Sequence, residues 1–156
     1  MSVVISEELK SGIADPESIK VLATKNRNGE VHVAAKGSIS LTEDGSIRYL
    51  ELLESSQTNK NLTYALWFDQ KVAINIITKD RRSYQIKGIP RRALVFGREF
   101  EEYYKTVVEK DPENDLAAVY FIEPVEVREE SYSVRREEQR KEHPLYLHLD
   151  RVAADR

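Results

Sequence analysis

The stretch from Ser18 to Leu41 leaves this chain few options. Ser18 to Lys25 (SIKVLATK) is β-branched and apolar, and Asn26-Arg27-Asn28-Gly29 supplies residues that tolerate the positive φ of a tight hairpin. The returning arm, Glu30 to Leu41, alternates with period two. Val31, Val33, Ala35, Gly37, Ile39 and Leu41 fall on one face, and His32, Ala34, Lys36, Ser38 and Ser40 on the other. The alternation predicts one core face and one polar face. Glu43-Asp44-Gly45 is a second turn signal leading into Ser46 to Leu53, so the first half reads as an antiparallel meander rather than a series of βαβ units.

The flanking segments fit around that meander. Ser6 to Ile13 predicts a short amphipathic helix with Leu9 and Ile13 on one face, ended by Asp15-Pro16. Lys71 to Thr78 (KVAINIIT) is apolar on both faces, as a centrally buried strand would be. After Asp80-Arg81-Arg82, a long strand from Arg82 to Phe96 is interrupted by Pro90. That residue cannot donate to a ladder and therefore marks an edge, a bulge or a bend. Gly97 to Lys110 places Phe100, Tyr103, Tyr104 and Val107 at helical spacing, Asp111-Pro112-Glu113-Asn114 ends that helix, and Leu116 to Val127 is the last strand.

Between the two halves lies the stretch where chemistry would start. In Glu51 to Asn75 a strand runs through a polar turn into a helix and then a strand. Ser55, Ser56 and Thr58 precede the apolar-periodic Leu62, Ala65 and Leu66, so one of them caps the helix. Such a helix start presents free N–H groups and a positive dipole end, and a hydroxyl with Lys60 beside it makes a candidate phosphate seat. The plain alternative is an ordinary capped helix with a solvated lysine. Glu51 and Glu54 flank the seat and would repel a phosphate unless they turn away from it.

Composition narrows the function classes. At 156 residues with 40% hydrophobic residues, the chain is one domain able to bury a core. Its net charge of −3 lacks the basic excess of a nucleic-acid binder. With no cysteine there is no disulfide, thiolate metal site or cysteine nucleophile. No apolar run approaches a membrane span, and MSVVISEELK does not read as a secretory signal, so a cytoplasmic protein is expected. His32, His143 and His148 do not cluster, which argues against a metal site. Glu101-Glu102 and Glu137-Glu138 are adjacent on predicted helices and point apart, and no G-x-S-x-G, Walker or G-x-G-x-x-G pattern occurs. No catalytic residue is identified. The charged run Arg128 to Glu142 predicts an exposed helix, and the apolar Pro144 to Leu149 that follows predicts a tail packed on its own barrel or on a second subunit.

VLATKNRNGEVHVAAKGSI, LLESSQTNKNLTYALWFDQKVAINII and YQIKGIPRRAL, in this order, resemble the pyridoxamine 5′-phosphate oxidase-like, FMN-binding split β-barrels over about residues 5 to 127. The resemblance rests on Ala23-Thr24, Asn28-Gly29 and Val31-His32, and on the helix opening Ser56, Thr58, Lys60, Asn61 and Leu62. It implies a mainly β fold with flanking helices, a six-stranded antiparallel split barrel over residues 1–130 and a charged C-terminal helix and tail over 131–156. It further implies a homodimer with FMN in clefts at the subunit interface and oxidoreductase activity on an unidentified substrate. A flavin carrier or sensor without turnover is the alternative, and FAD, a deazaflavin or haem are alternative occupants. Carried over by position, Ser56, Gln57, Thr58 and Lys60 would hold the phosphate and Lys36 would approach it or the ribityl chain, while Ala34, Ala35, Leu52, Leu53 and Gln85 would border the ring. The tail HPLYLHLDRVAADR departs from the vitamin-oxidising members, so vitamin B6 oxidation is not implied.

Overall fold

A computed structural model of the chain describes residues 3–145. Its elements are α1 (Glu7–Ala14), β1 (Ile19–Lys25), β2 (Val31–Ala35), β3 (Ile39–Leu41), β4 (Ile47–Glu51), α2 (Gln57–Trp67), β5 (Val72–Ile77), β6 (Ser83–Leu94), α3 (Arg98–Lys110), β7 (Ala118–Glu129) and α4 (Tyr132–Glu142). The strands form one antiparallel sheet in the order β2-β1-β5-β6-β7-β4-β3.

That order forces the sheet to curl. β2 and β3 stand at its opposite edges, yet only residues 36–38 join them. The two edges must therefore lie side by side. On either side of the crossing the ladders run on: the Lys36 N–H donates to the Lys20 carbonyl at 2.8 Å, prolonging the β1–β2 pairing, and the Ser38 hydroxyl donates to the Leu50 carbonyl at 2.7 Å, prolonging the β3–β4 pairing. The result is a mainly β half-barrel with flanking helices, consistent with a split barrel, with seven strands where six were expected.

The extra strand comes from the returning arm of the first hairpin. The predicted single strand from Glu30 to Leu41 breaks at the seam into β2 and β3, and its two parts face different surroundings. Ile39 is 3% exposed, whereas Val31 and Val33 are 87% and 65% exposed on the outside of the sheet. The uniform apolar face read from the alternation is thus correct for β3 and reversed for β2. The hairpin turn itself is as expected, with Gly29 at φ 81° and the Asn26 side chain accepting from the N–H groups of Asn28 and Glu30.

The main core fills the inside of the curl. Leu22, Ile47, Ile74, Ile76, Ile86 and Ile122 are fully buried, with Leu9 and Ile13 of α1 and Leu62 and Ala65 of α2 packed onto them. A Leu or Ile buried this completely contributes about 1.5–3 kcal/mol. The outer side of β7 carries a second cluster in which Val119 and Phe121 meet Val107, Phe100 and Tyr103 of α3. The register of β6 against β7 shifts at Lys87/Gly88 and at Pro90/Arg92, as expected of a strand carrying an internal proline. The charged segment after β7 forms α4, none of whose residues is buried. Leu145 is exposed, and the rest of the apolar tail, from Tyr146, lies outside the described residues.

Candidate functional site

The polar turn after β4 opens α2 with Ser56 as the N-cap. Its hydroxyl accepts from the Asn59 N–H at 2.9 Å and donates to Glu51 Oε1 at 2.9 Å. The Lys60 N–H donates to the Ser56 carbonyl, so the N–H groups of Gln57 and Thr58 are left as orphan donors of the first turn. The Thr58 hydroxyl is fully buried and has no hydrogen-bond partner among the described residues. A buried polar group left unpaired costs about 1–3 kcal/mol, which an incoming acceptor oxygen would offset.

Glu51, flagged by the sequence as a repelling neighbour, is turned into the barrel and is 2% exposed. It is the last residue of β4, whose alternation buries Ile47, Tyr49 and Glu51 together. The Tyr49 hydroxyl donates to Glu51 Oε2, while the Ser56 hydroxyl and the Leu53 N–H (3.2 Å) donate to Oε1. Burial, followed by the bond to Glu51, pushes the Tyr49 phenol well above its ordinary pKa. Tyr120, stacked on Tyr49 with ring centroids 6.5 Å apart, is also raised, chiefly by burial. Its hydroxyl donates to Asn59 Oδ1 at 2.6 Å and lies 3.2 Å from Thr63 Oγ1, which ties β7 to α2. On the other side, Asn61 is held by Thr24 of β1 at 3.0 Å and by Gln57 at 2.8 Å. The first turn of α2 is therefore fixed from three strands.

The expected residues do not all come together. Ser56, Gln57 and Thr58 are together in the first turn of α2. Lys36 joins them indirectly, since its ammonium sits 5.6 Å from the centre of the Tyr49 ring, and Tyr49 leads through Glu51 to Ser56. Lys60 is exposed and two residues from buried Thr58, a spacing that points the two side chains to nearly opposite sides of a helix. Half-buried Leu52 lines a polar cavity of about 350 Å³ with Asn59, Thr63, Val95 and Tyr120, and Leu53 beside it is 66% exposed. Ala34 is half-buried and Ala35 exposed on β2. Gln85 lies in a separate cavity of about 530 Å³ on the outer face of the sheet, with Val21, Val33 and Asn75.

Residues the sequence reading passed over belong to this assembly, Tyr49, Tyr120 and Asn59, and so do Thr24 and Asn61, which it read only as marks of the resemblance. The period-two pattern Ile47, Tyr49, Glu51 could have found the first of them, since it places Tyr49 and Glu51 on the core face of one strand. Lys20 is a further one. It is on the inner face of β1 with Leu22 and Thr24, is 9% exposed, and makes no ion pair among the described residues. No group of three or more metal-ligating side chains occurs among the described residues, and no described helix is long and apolar enough to cross a membrane.

The donor set fits a phosphate. Two orphan N–H groups, the unpaired Thr58 hydroxyl and the positive end of α2 lie in one turn; Glu51 is turned away with both oxygens occupied, while exposed Glu54 lines the cavity beside the turn with Leu52 and Asn59.

The architecture defined above is that of the pyridoxamine 5′-phosphate oxidase-like and FMN-binding split barrels. HupZ from Group A Streptococcus is similar in structure at a TM-score of 0.68 and 21% identity, over 83% of this chain and 96% of that one. An F420 reductase matches at a TM-score of 0.61 and 16% identity, over 80% and 98%. An FMN-binding protein from Syntrophomonas wolfei matches at a TM-score of 0.61 and 16% identity, over 80% and 82%. At these identities the likeness establishes the fold. No protein-family model and no curated protein matches the sequence.

Proposed function

We propose that this chain binds FMN, with the phosphate on the first turn of α2, and serves as a flavin-dependent oxidoreductase. The observation that carries the reading is the buried, unpaired Thr58 hydroxyl beside the free N–H groups of Gln57 and Thr58. The N–H groups and hydroxyl supply donors for phosphate oxygens, and Lys36 supplies positive charge from the Tyr49 side. Lys20, buried without an acidic partner among the described residues, adds to the positive potential on the inner face of β1. On this reading the small and apolar groups at Ala34, Ala35, Leu52 and Leu53 would border the flat ring, and Gln85, which lies in a separate cavity on the outer face of the sheet, would reach it from a second subunit. The exposed Leu53, Val95 and Phe96 supply apolar contact for pairing two copies at this boundary. A bound flavin would supply the hydride and electron chemistry, and the protein's part is to bind and orient it.

The alternative is a holder of flavin without turnover. It is favoured by one feature: the buried titratable groups beside the turn, Tyr49, Glu51 and Tyr120, are all committed to hydrogen bonds inside the barrel. The two readings separate in one preparation. Purified protein mixed with FMN should develop a perturbed flavin absorbance band. Bleaching of that band by a reduced nicotinamide, with repeated reoxidation by oxygen or a dye, selects the enzyme. A perturbed band with no bleaching selects the holder, and an unperturbed spectrum removes both.

A further inference from the structure

The carboxylate of Glu51, 2% exposed, lies beneath the turn that opens α2, and the function proposed above gives it no part. Its backbone is locked into the sheet. Glu51 pairs with Ala118 of β7, and its carbonyl accepts from the Ala117 N–H at 2.8 Å. From that anchor its side chain reaches both ends of the turn. Oε1 accepts from the Leu53 N–H at 3.2 Å and from the Ser56 hydroxyl at 2.9 Å, and the Ser56 N–H closes the turn on the Leu53 carbonyl at 3.1 Å.

A serine hydroxyl has one proton to give. With that proton on Glu51, the Ser56 oxygen is turned to accept from the Asn59 N–H at 2.9 Å, the bond that caps the helix. Ser56 then has no hydrogen left for a ligand oxygen. Its neighbours are committed too: the Gln57 side-chain amide donates to Asn61 Oδ1, and that of Asn59 donates to the Glu54 carbonyl while accepting from the Tyr120 hydroxyl. The donors left to the first turn are the N–H groups of Gln57 and Thr58 and the Thr58 hydroxyl.

We propose that Glu51 is a positioning residue for the phosphate seat. By taking the Ser56 proton it fixes the cap, and through the cap it holds those three donors in one arrangement, carrying the rigidity of β4 into the start of α2. Ser56 is on this account a cap and not a ligand of the phosphate. The inference rests on the reading that this turn seats a phosphate, and it names the residue that keeps the seat in shape.

The ratio of riboflavin to FMN dissociation constants isolates the phosphate's share of binding, and fluorescence titration measures it. Glu51→Ala should lower that preference about 3- to 10-fold, the worth of a capping bond, with riboflavin affinity unchanged. Glu51→Gln keeps an oxygen for Ser56 and Leu53 and can donate its amide to the Tyr49 oxygen, so it should retain the parent preference. Ser56→Ala should lower the preference by the same factor, and adding Glu51→Ala to it should change nothing more, because Glu51 acts through Ser56. In the flavin-free chain, the Asn59 amide should exchange about 10-fold faster in Glu51→Ala than in the parent or in Glu51→Gln. Made in the Tyr49→Phe background, where no tyrosine hydroxyl is stranded, Glu51→Ala tests the same point should the single variant not fold. A preference unchanged or raised in Glu51→Ala, equal losses for both flavins, or a further fall in the double variant would overturn the proposal. A parent chain that does not distinguish the two flavins removes the phosphate seat and this inference with it, whereas a discriminating parent with an indifferent Glu51→Ala removes the inference alone.

Discussion

Removing the Glu51 side chain should expose how the turn before α2 is held. Glu51→Ala takes away the acceptor for the Tyr49 hydroxyl, the Ser56 hydroxyl and the Leu53 N–H. The Tyr49 hydroxyl is the costly one, because Tyr49 is 2% exposed and water does not reach it easily. An orphaned buried donor costs about 1–3 kcal/mol, and the two partly exposed donors add less, so the variant should lose about 2–4 kcal/mol. Tyr49→Phe alone removes one bond while the carboxylate keeps two donors, for about 0.5–1.5 kcal/mol. In the double variant no tyrosine hydroxyl is left stranded in the barrel. Its loss should therefore fall short of the sum of the singles by about 1–2 kcal/mol, as expected for residues in one network. Urea unfolding of the four proteins, read as midpoint shifts at constant m, measures this directly. Losses that add to within about 0.3 kcal/mol would show that Tyr49 and Glu51 act independently and would refute the network.

Gly88→Ala should destabilise the barrel by about 1–3 kcal/mol through overpacking. A Cβ there would stand 2.5 Å from Ile122 Cγ2 and 2.9 Å from the Glu123 carbonyl oxygen, and a urea midpoint equal to that of the parent would contradict the close approach of β6 and β7. Acid should weaken the contact between β6 and the end of β7. The Arg82 guanidinium, followed by the Ser131 hydroxyl, holds the Glu129 carboxyl below its ordinary value of 4.5, so its stabilisation is present above that pH and lost as pH falls through the folded-state value. Glu129→Gln should flatten the fall of the urea midpoint between about pH 5 and pH 3, and an unchanged slope would remove the assignment.

Much of the fold is written locally in the chain. Asn26 to Gly29 sets the first hairpin because few residues accept its backbone angles, and Pro90 marks the irregular part of β6 because it cannot donate to the ladder. What escaped is what depends on closure. Nothing in the even alternation from Val31 to Leu41 indicates that residues 36–38 cross from one edge of the sheet to the other, which turns Val31 and Val33 outward while Ile39 stays inside. The same limit applies to the turn. Ser56 is legible as a helix cap from composition alone, but its second bond to Glu51 depends on where β4 ends, and the pairing of Thr24 with Asn61 joins residues 37 positions apart. Lys60 was grouped with Thr58 by proximity in sequence, and the helix separates them by rotation.

The account turns on whether the first turn of α2 holds a phosphate, and parallel fluorescence titrations with FMN and riboflavin test that most directly. The parent chain should bind FMN at least about 10-fold more tightly than riboflavin, which lacks the phosphate, since one charge-assisted hydrogen bond is worth about 1.5–3 kcal/mol. Thr58→Val should remove much of that preference while leaving riboflavin affinity nearly unchanged. Equal affinity for the two flavins in the parent chain, or equal losses for both in the variant, would contradict the central claim.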